Sequence, residues 1–165
     1  GLGDVYKRQG SDSMTGGRLK RVSEFIKNEE AFCFTYGDGV GDNDIKASIA
    51  FHKSHGKKAT ITTSYPPGRF GALKIEDEKV LSFKEKPKGD GSRVNAGFFV
   101  LSPDVLDLIE DDYTIWEQDP LNRLVDEGQL MAFQHEGFWK PMDTLADKNI
   151  LQEMWEGGKA PWKVW

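Results

Sequence analysis

The chain has 165 residues, is 38% hydrophobic and 12% aromatic, and carries a net charge of −5. That apolar content supports one folded domain, or most of one, and excludes a disordered chain. The acidic balance contains no basic block or Arg-rich stripe, which argues against nucleic acid as the main partner, and no apolar run approaches the roughly 18 residues of a membrane span.

Residues 1–10 show no periodicity and no apolar secretory core, so they read as a linker or non-native scar. Ser11 to Leu19 is polar and glycine-rich, and predicts a loop; Leu19, Val22, Phe25 and Ile26 then recur at helical spacing. Ala31 to Thr35 reads as a buried strand closed by Gly37 and Gly39. Cys33, the only cysteine, falls inside it and is expected to be a small core residue rather than a nucleophile. Asp42 or Asn43 can cap a following helix in which Ile45, Ile49 and His52 share a face, with Gly56 as its stop. Residues 58–64 give the next strand, and this strand–helix–strand order favours parallel pairing.

Leu73 to Ile75 and Val80 to Phe83 predict a hairpin, and Val94 to Leu101 another buried strand. Pro103 starts a short helix through Ile109, and Trp116 to Glu127 forms a second around Pro120. Leu130 to Phe133 returns as a strand. Thr144 and Asp147 have capping-box spacing and open a helix through Trp155 that Gly157 and Gly158 end.

Two carboxylates stand out. Asp38, between Gly37 and Gly39, and Asp143, just before Thr144, each follow an apolar run where an open α/β sheet presents side chains to ligands. Glycines on both sides of Asp38 let a phosphate and a metal approach the backbone, although Gly-Asp-Gly is also an ordinary turn. Asp143 pairs chemically with it or merely favours the helix dipole. Glu85-Lys86-Pro87 is either a charged sheet edge or a hydroxyl acceptor beside a phosphate counter-ion. Thr15-Gly16-Gly17-Arg18 is a plain loop or an anion grip, and Pro66 to Gly71 a turn or a segment that lets a ligand approach. His52 and His55 have no third ligand nearby, which argues against zinc.

Taken in order, Ser13 to Val22, Phe34 to Val40, Pro66 to Leu73, Glu85 to Gly91, Asn95 to Val100 and Pro141 to Thr144 resemble the glucose-1-phosphate cytidylyltransferases of the sugar-phosphate nucleotidyltransferase family. The resemblance runs from about Ser11 to Trp165. It implies an α/β fold with a Rossmann-like mixed sheet, and transfer of a cytidylyl group from CTP to α-D-glucose 1-phosphate, giving CDP-glucose and pyrophosphate for surface-polysaccharide (O-antigen) synthesis. It further implies that Asp38 and Asp143 hold Mg2+, that Lys86 meets the sugar phosphate, and that Glu85 and Asn95 bind glucose. Gly71 and Gly97 would line the sugar pocket through backbone, and Arg18 would contact phosphate. Ala96 stands where the family often has glycine, a change expected to be tolerated.

The family's glycine-rich Gly-Gly-x-Gly-Thr-Arg loop and Pro-Lys-Pro segment do not occur here. Residues 11–165 are therefore expected to be the C-terminal part of a nucleotidyltransferase domain, inactive alone, from a cytoplasmic enzyme that is a homo-oligomer without membrane or nucleic-acid partners. Two alternatives stay open: a transferase using another nucleoside triphosphate, and a non-catalytic sugar-phosphate binding module.

Overall fold

A computed structural model describes residues 12–66, 72–84 and 92–164. They fall into two compact units, one of residues up to 35 with 46–61 and 98–133, the other of residues 36–45, 62–97 and 134–165.

The first unit opens with helices α1 (Thr15–Arg21) and α2 (Ser23–Ile26). The expected loop at Thr15 to Arg18 is therefore helical, and the reason is steric. Gly16 and Gly17 are buried, and a Cβ on Gly17 would stand 2.3 Å from the Asp112 carbonyl oxygen. The glycines let α1 pack directly on the 112–114 backbone, where Met14 N donates to Asp112 O at 2.8 Å and Gly16 N to Thr114 O at 3.0 Å. Arg21 adds a salt bridge to Asp112, whose carboxyl the guanidinium holds below its usual range.

Strand β1 (Phe32–Thr35) pairs antiparallel with β6 (Val94–Leu101), Phe34 opposite Phe99. The four-stranded sheet has the order β1-β6-β3-β7, with β3 at Ala59–Ser64 and β7 at Leu130–Gln134. Ala59 N donates to Gln129 O and His135 N to Thr63 O, so β3 and β7 run in the same direction. The sheet is mixed: the parallel tendency expected of β1 and β3 does not make them neighbours, because β6 inserts between them. Cys33 departs from expectation. It faces outward on β1 and is exposed, because the alternation of the strand turns Phe32 inward in its place.

Trp116 anchors the core of this unit with no exposed surface, edge-on to Phe99 at 6.0 Å and to Phe34 at 6.3 Å. Val105, Leu106 and Leu108 from the 3-10 helix Pro103–Leu108 are also buried in this unit, as is Leu124 of α4 (Asp119–Asp126). The second predicted helix thus begins later than Trp116, which is spent on packing instead. Helix α3 (Ile45–His55) buries His52, which with His55 shares the Thr60 hydroxyl, while Ile45 is exposed.

In the second unit β4 (Ala72–Glu76) and β5 (Lys79–Lys84) form the expected hairpin. Its turn is Asp77-Glu78, both with positive φ (42° and 67°), the left-handed pair that twisted two-residue hairpin turns demand. Two short strands, β2 (Gly39–Gly41) and β8 (Trp139–Pro141), make an antiparallel ribbon. Helix α5 (Leu145–Glu156) follows, opened by the complete Thr144–Asp147 capping box and ended at Gly157.

Candidate active site

The ribbon brings the two aspartates together. Gly39 pairs with Pro141 and Gly41 with Trp139, so the entrance of β2 lies beside the exit of β8. Asp38 immediately precedes the one strand and Asp143 follows the other by two residues, and Met142 N donates to the Asp38 carbonyl oxygen at 2.7 Å. Both side chains are exposed. Asp38 follows β1, as its sequence setting predicts; Asp143 instead follows β8, outside the four-stranded sheet. β2 was not legible, since Gly-Val-Gly has neither the length nor the pattern of a strand and is held there by its partner.

Asn95 and Gly97 join the same unit through Tyr36. Gly97 has φ of 79°, and a Cβ there would stand 2.8 Å from the Tyr36 ring, so both backbone conformation and space require glycine. Asn95 Oδ1 accepts from Gly97 N at 2.8 Å, its Nδ2 donates to the Tyr36 hydroxyl at 3.3 Å, and Tyr36 N donates to Gly97 O at 2.9 Å. Between them Ala96, 2% exposed, turns its carbonyl to Trp139 Nε1 at 2.9 Å. That bond fixes the ribbon to the start of β6, and Gly39 lies against it, with 3.5 Å from its Cβ position to the indole nitrogen.

Several residues that the sequence reading did not single out steady this arrangement. His135, 8% exposed, places Nε2 3.0 Å from the Phe138 carbonyl and 3.1 Å from Asp42 Oδ1. The Phe138 carbonyl can only accept, so Nε2 carries the hydrogen in that bond, while Asp42 Oδ1 stands close by without a hydrogen bond of its own. Gly137 permits the contact, because a Cβ there would fall 2.3 Å from Asp42 Oδ1. Arg93 stacks on Tyr65 at 4.4 Å and donates to the His135 carbonyl at 3.1 Å, with Glu136 as its salt-bridge partner. A cavity of about 420 Å³ opens beside them, lined in part by Tyr65, Phe138, Trp139 and Lys140. Lys140 Nζ in turn lies 2.5 Å from Asp147 Oδ1. No periodic signal marks these pairs: Lys140 and Asp147 belong to different elements, and Asp42 and His135 are joined only by the fold.

Of the remaining expected site residues, Arg18 lies in α1 of the first unit, where Nε donates to the Ser13 carbonyl at 2.8 Å. Its expected loop of free amides is instead a helix turn. Gly71, Glu85 and Lys86 lie outside the described residues. The chemistry of the donors at the ribbon fits a hard divalent cation: Asp38 and Asp143, two exposed carboxylates at neighbouring strand ends, could supply oxygen ligands to one such as magnesium. Among the described residues no three His, Cys, Asp or Glu side chains gather as a metal cage.

The Nucleotidyl transferase family profile matches residues 5–148. Proteins named glucose-1-phosphate cytidylyltransferase from Salmonella typhi and Salmonella typhimurium are each 66% identical over 156 residues, 94% of this chain and 61% of theirs. The chain thus spans about 61% of the length of these relatives. Among solved structures, HddC from Yersinia pseudotuberculosis superposes with a TM-score of 0.66 at 22% identity, covering 88% of this chain and 64% of that one, which establishes a shared fold.

Proposed function

This chain belongs to the nucleotidyl transferase family, and from that premise we propose that the full-length protein transfers a cytidylyl group from CTP to α-D-glucose 1-phosphate, releasing pyrophosphate and CDP-glucose. The observation that carries the choice of substrates is the likeness to the Salmonella cytidylyltransferases across nearly the whole chain. The paired aspartates supply the matching chemistry. A phosphate oxygen of the sugar phosphate attacks the α-phosphorus in line and pyrophosphate leaves, with no covalent enzyme intermediate, so positioning and charge neutralisation make up the catalysis.

In this reading Asp38 and Asp143 would hold Mg2+, which when bound neutralises charge on the reacting phosphates. The Tyr36–Asn95–Gly97 knot presents a rigid backbone and an amide to the sugar, and Lys86 and Glu85 would take its phosphate and a hydroxyl. Arg18 would contact phosphate. Among the described residues no helix is long and apolar enough to cross a membrane. A cytoplasmic homo-oligomer supplying activated sugar for surface polysaccharide completes the proposal.

The test is pyrophosphate release by the full-length protein with glucose 1-phosphate, magnesium and each nucleoside triphosphate in turn. CTP is expected to be used well ahead of the others. Preference for another triphosphate would replace the cytidylyl assignment, and binding of glucose 1-phosphate without turnover of any triphosphate would leave a sugar-phosphate binding module.

A further inference from the structure

We propose that Lys140 and Asp147 are positioning residues, a clamp that closes the turn bearing Asp143 and so sets it against Asp38; its catalytic meaning rests on the reading of those two aspartates as metal ligands. Lys140 is the central residue of β8, and Thr144 is the N-cap of α5. One carboxylate ties them together. Asp147 Oδ1 lies 2.5 Å from Lys140 Nζ, while its Oδ2 accepts from Thr144 N at 3.1 Å and Thr144 Oγ1 at 2.8 Å. Residues 141–143 are enclosed between these anchors, and Met142 within them carries the N–H that bonds the Asp38 carbonyl at 2.7 Å.

A capping box needs only the Thr144–Asp147 exchange. The lysine is additional, and its side chain is 13% exposed, against 16% for Asp147. A lysine can ordinarily keep its ammonium in water while its stem covers apolar surface. Partly withdrawn from water as it is, this ammonium keeps its counter-charge close. The Lys140 ammonium, followed by the Thr144 hydroxyl, brings the Asp147 carboxyl down to about 2, which keeps it ionised throughout the neutral range.

Two substitutions in the full-length protein separate clamp from cap. Asp147→Asn keeps an oxygen for Thr144 but removes the charge, and Lys140→Met removes the ammonium while keeping most of the stem. Hydrogen exchange read by NMR is expected to speed up by about tenfold or more at the Met142 amide in both variants, with the Leu151 amide in α5 unchanged. The magnesium concentration giving half-maximal rate should rise about tenfold while KM for glucose 1-phosphate moves less than about twofold. Exchange at Met142 equal to wild type in both variants would overturn the clamp. Faster exchange with unchanged magnesium dependence would also overturn it, leaving the pair as a stabilising contact only. A wild type that transfers no nucleotide would instead remove the metal reading, and Met142 exchange would still decide whether the clamp exists.

Discussion

His55 Nε2 lies 2.7 Å from the Thr60 hydroxyl, and the proton in that contact orders a chain of four side chains. Lys57 N donates to His55 Nδ1 at 2.9 Å, so that nitrogen is bare and the ring's hydrogen is on Nε2. Thr60 accepts it and passes its own hydrogen to His52 Nδ1 at 2.9 Å, leaving His52 Nε2–H to face Ser102 Oγ at 3.3 Å. Both rings must be neutral for the chain to be complete.

Acid is therefore expected to weaken the fold. Burial lowers the pKa of both histidines, with His55 reinforcing the effect on His52 and Lys57 that on His55, while Glu30 opposes it at His52. The unfolded chain, with histidines titrating near about 6.5, takes up protons first. Stability from these groups is thus fully present above that pH and is lost as pH falls toward the lowered folded values. Urea midpoints between about pH 8 and pH 5 should show the decline. Thr60→Val should cost about 1–3 kcal/mol by stranding the buried His52 nitrogen, and should change the slope. An unaltered pH profile in that variant would separate the histidines from the acid sensitivity.

Gly17→Ala should destabilise the first unit although alanine is the better helix former by about 1 kcal/mol. Its Cβ would meet the Asp112 carbonyl oxygen at 2.3 Å and the Asp112 Cα at 2.5 Å, backbone atoms that no rotamer change can move. Forcing α1 away from 112–114 puts the Met14–Asp112 hydrogen bond at risk as well. A loss of about 2 kcal/mol or more in chemical denaturation is expected, within the range for overpacked cores. A stability gain would mean that the helix and the loop separate freely.

The elements with local signals were legible: the Thr144–Asp147 box, the β4–β5 hairpin and the Val94–Leu101 strand all lie where residue pattern puts them. Long-range contacts carried the rest. Gly16 and Gly17 look like a loop because glycine usually marks one; only the closeness of Asp112 and Thr114 explains a helix there. Cys33 is apolar enough for a core, yet strand alternation turns it outward. At the candidate site, Asp38 and Asp143 could be named from their settings, whereas Lys140 and His135 acquire their roles from partners that no spacing rule connects to them.

Glu78→Gly in the β4–β5 turn should stabilise the hairpin. Glutamate at φ 67° bears a steric cost of roughly 1–2 kcal/mol that glycine does not. Glycine also gains freedom in the unfolded chain, so the net gain should be about 0.5 kcal/mol, read as a small rise in the denaturant midpoint. A fall would show that the Glu78 side chain contributes more than its backbone costs.

The last expectation concerns the aspartates themselves. Asp38→Asn and Asp143→Asn each replace an exposed carboxylate whose backbone is already fixed by the ribbon, and the bond between Met142 N and Asp38 O does not involve either side chain. The Asp38→Asn variant should therefore retain wild-type thermal stability to within about 0.5 kcal/mol, as for ordinary surface changes. An amide is a weaker ligand than a carboxylate for a hard dication, so turnover in the full-length protein should fall by about two orders of magnitude or more. Excess magnesium should recover part of that loss, because a weakened site still fills by mass action. The double variant should lose less than the product of the two single losses, since ligands of one ion act as a unit. Strictly multiplicative losses, or wild-type turnover in either single variant, would mean that the two carboxylates do not share a metal.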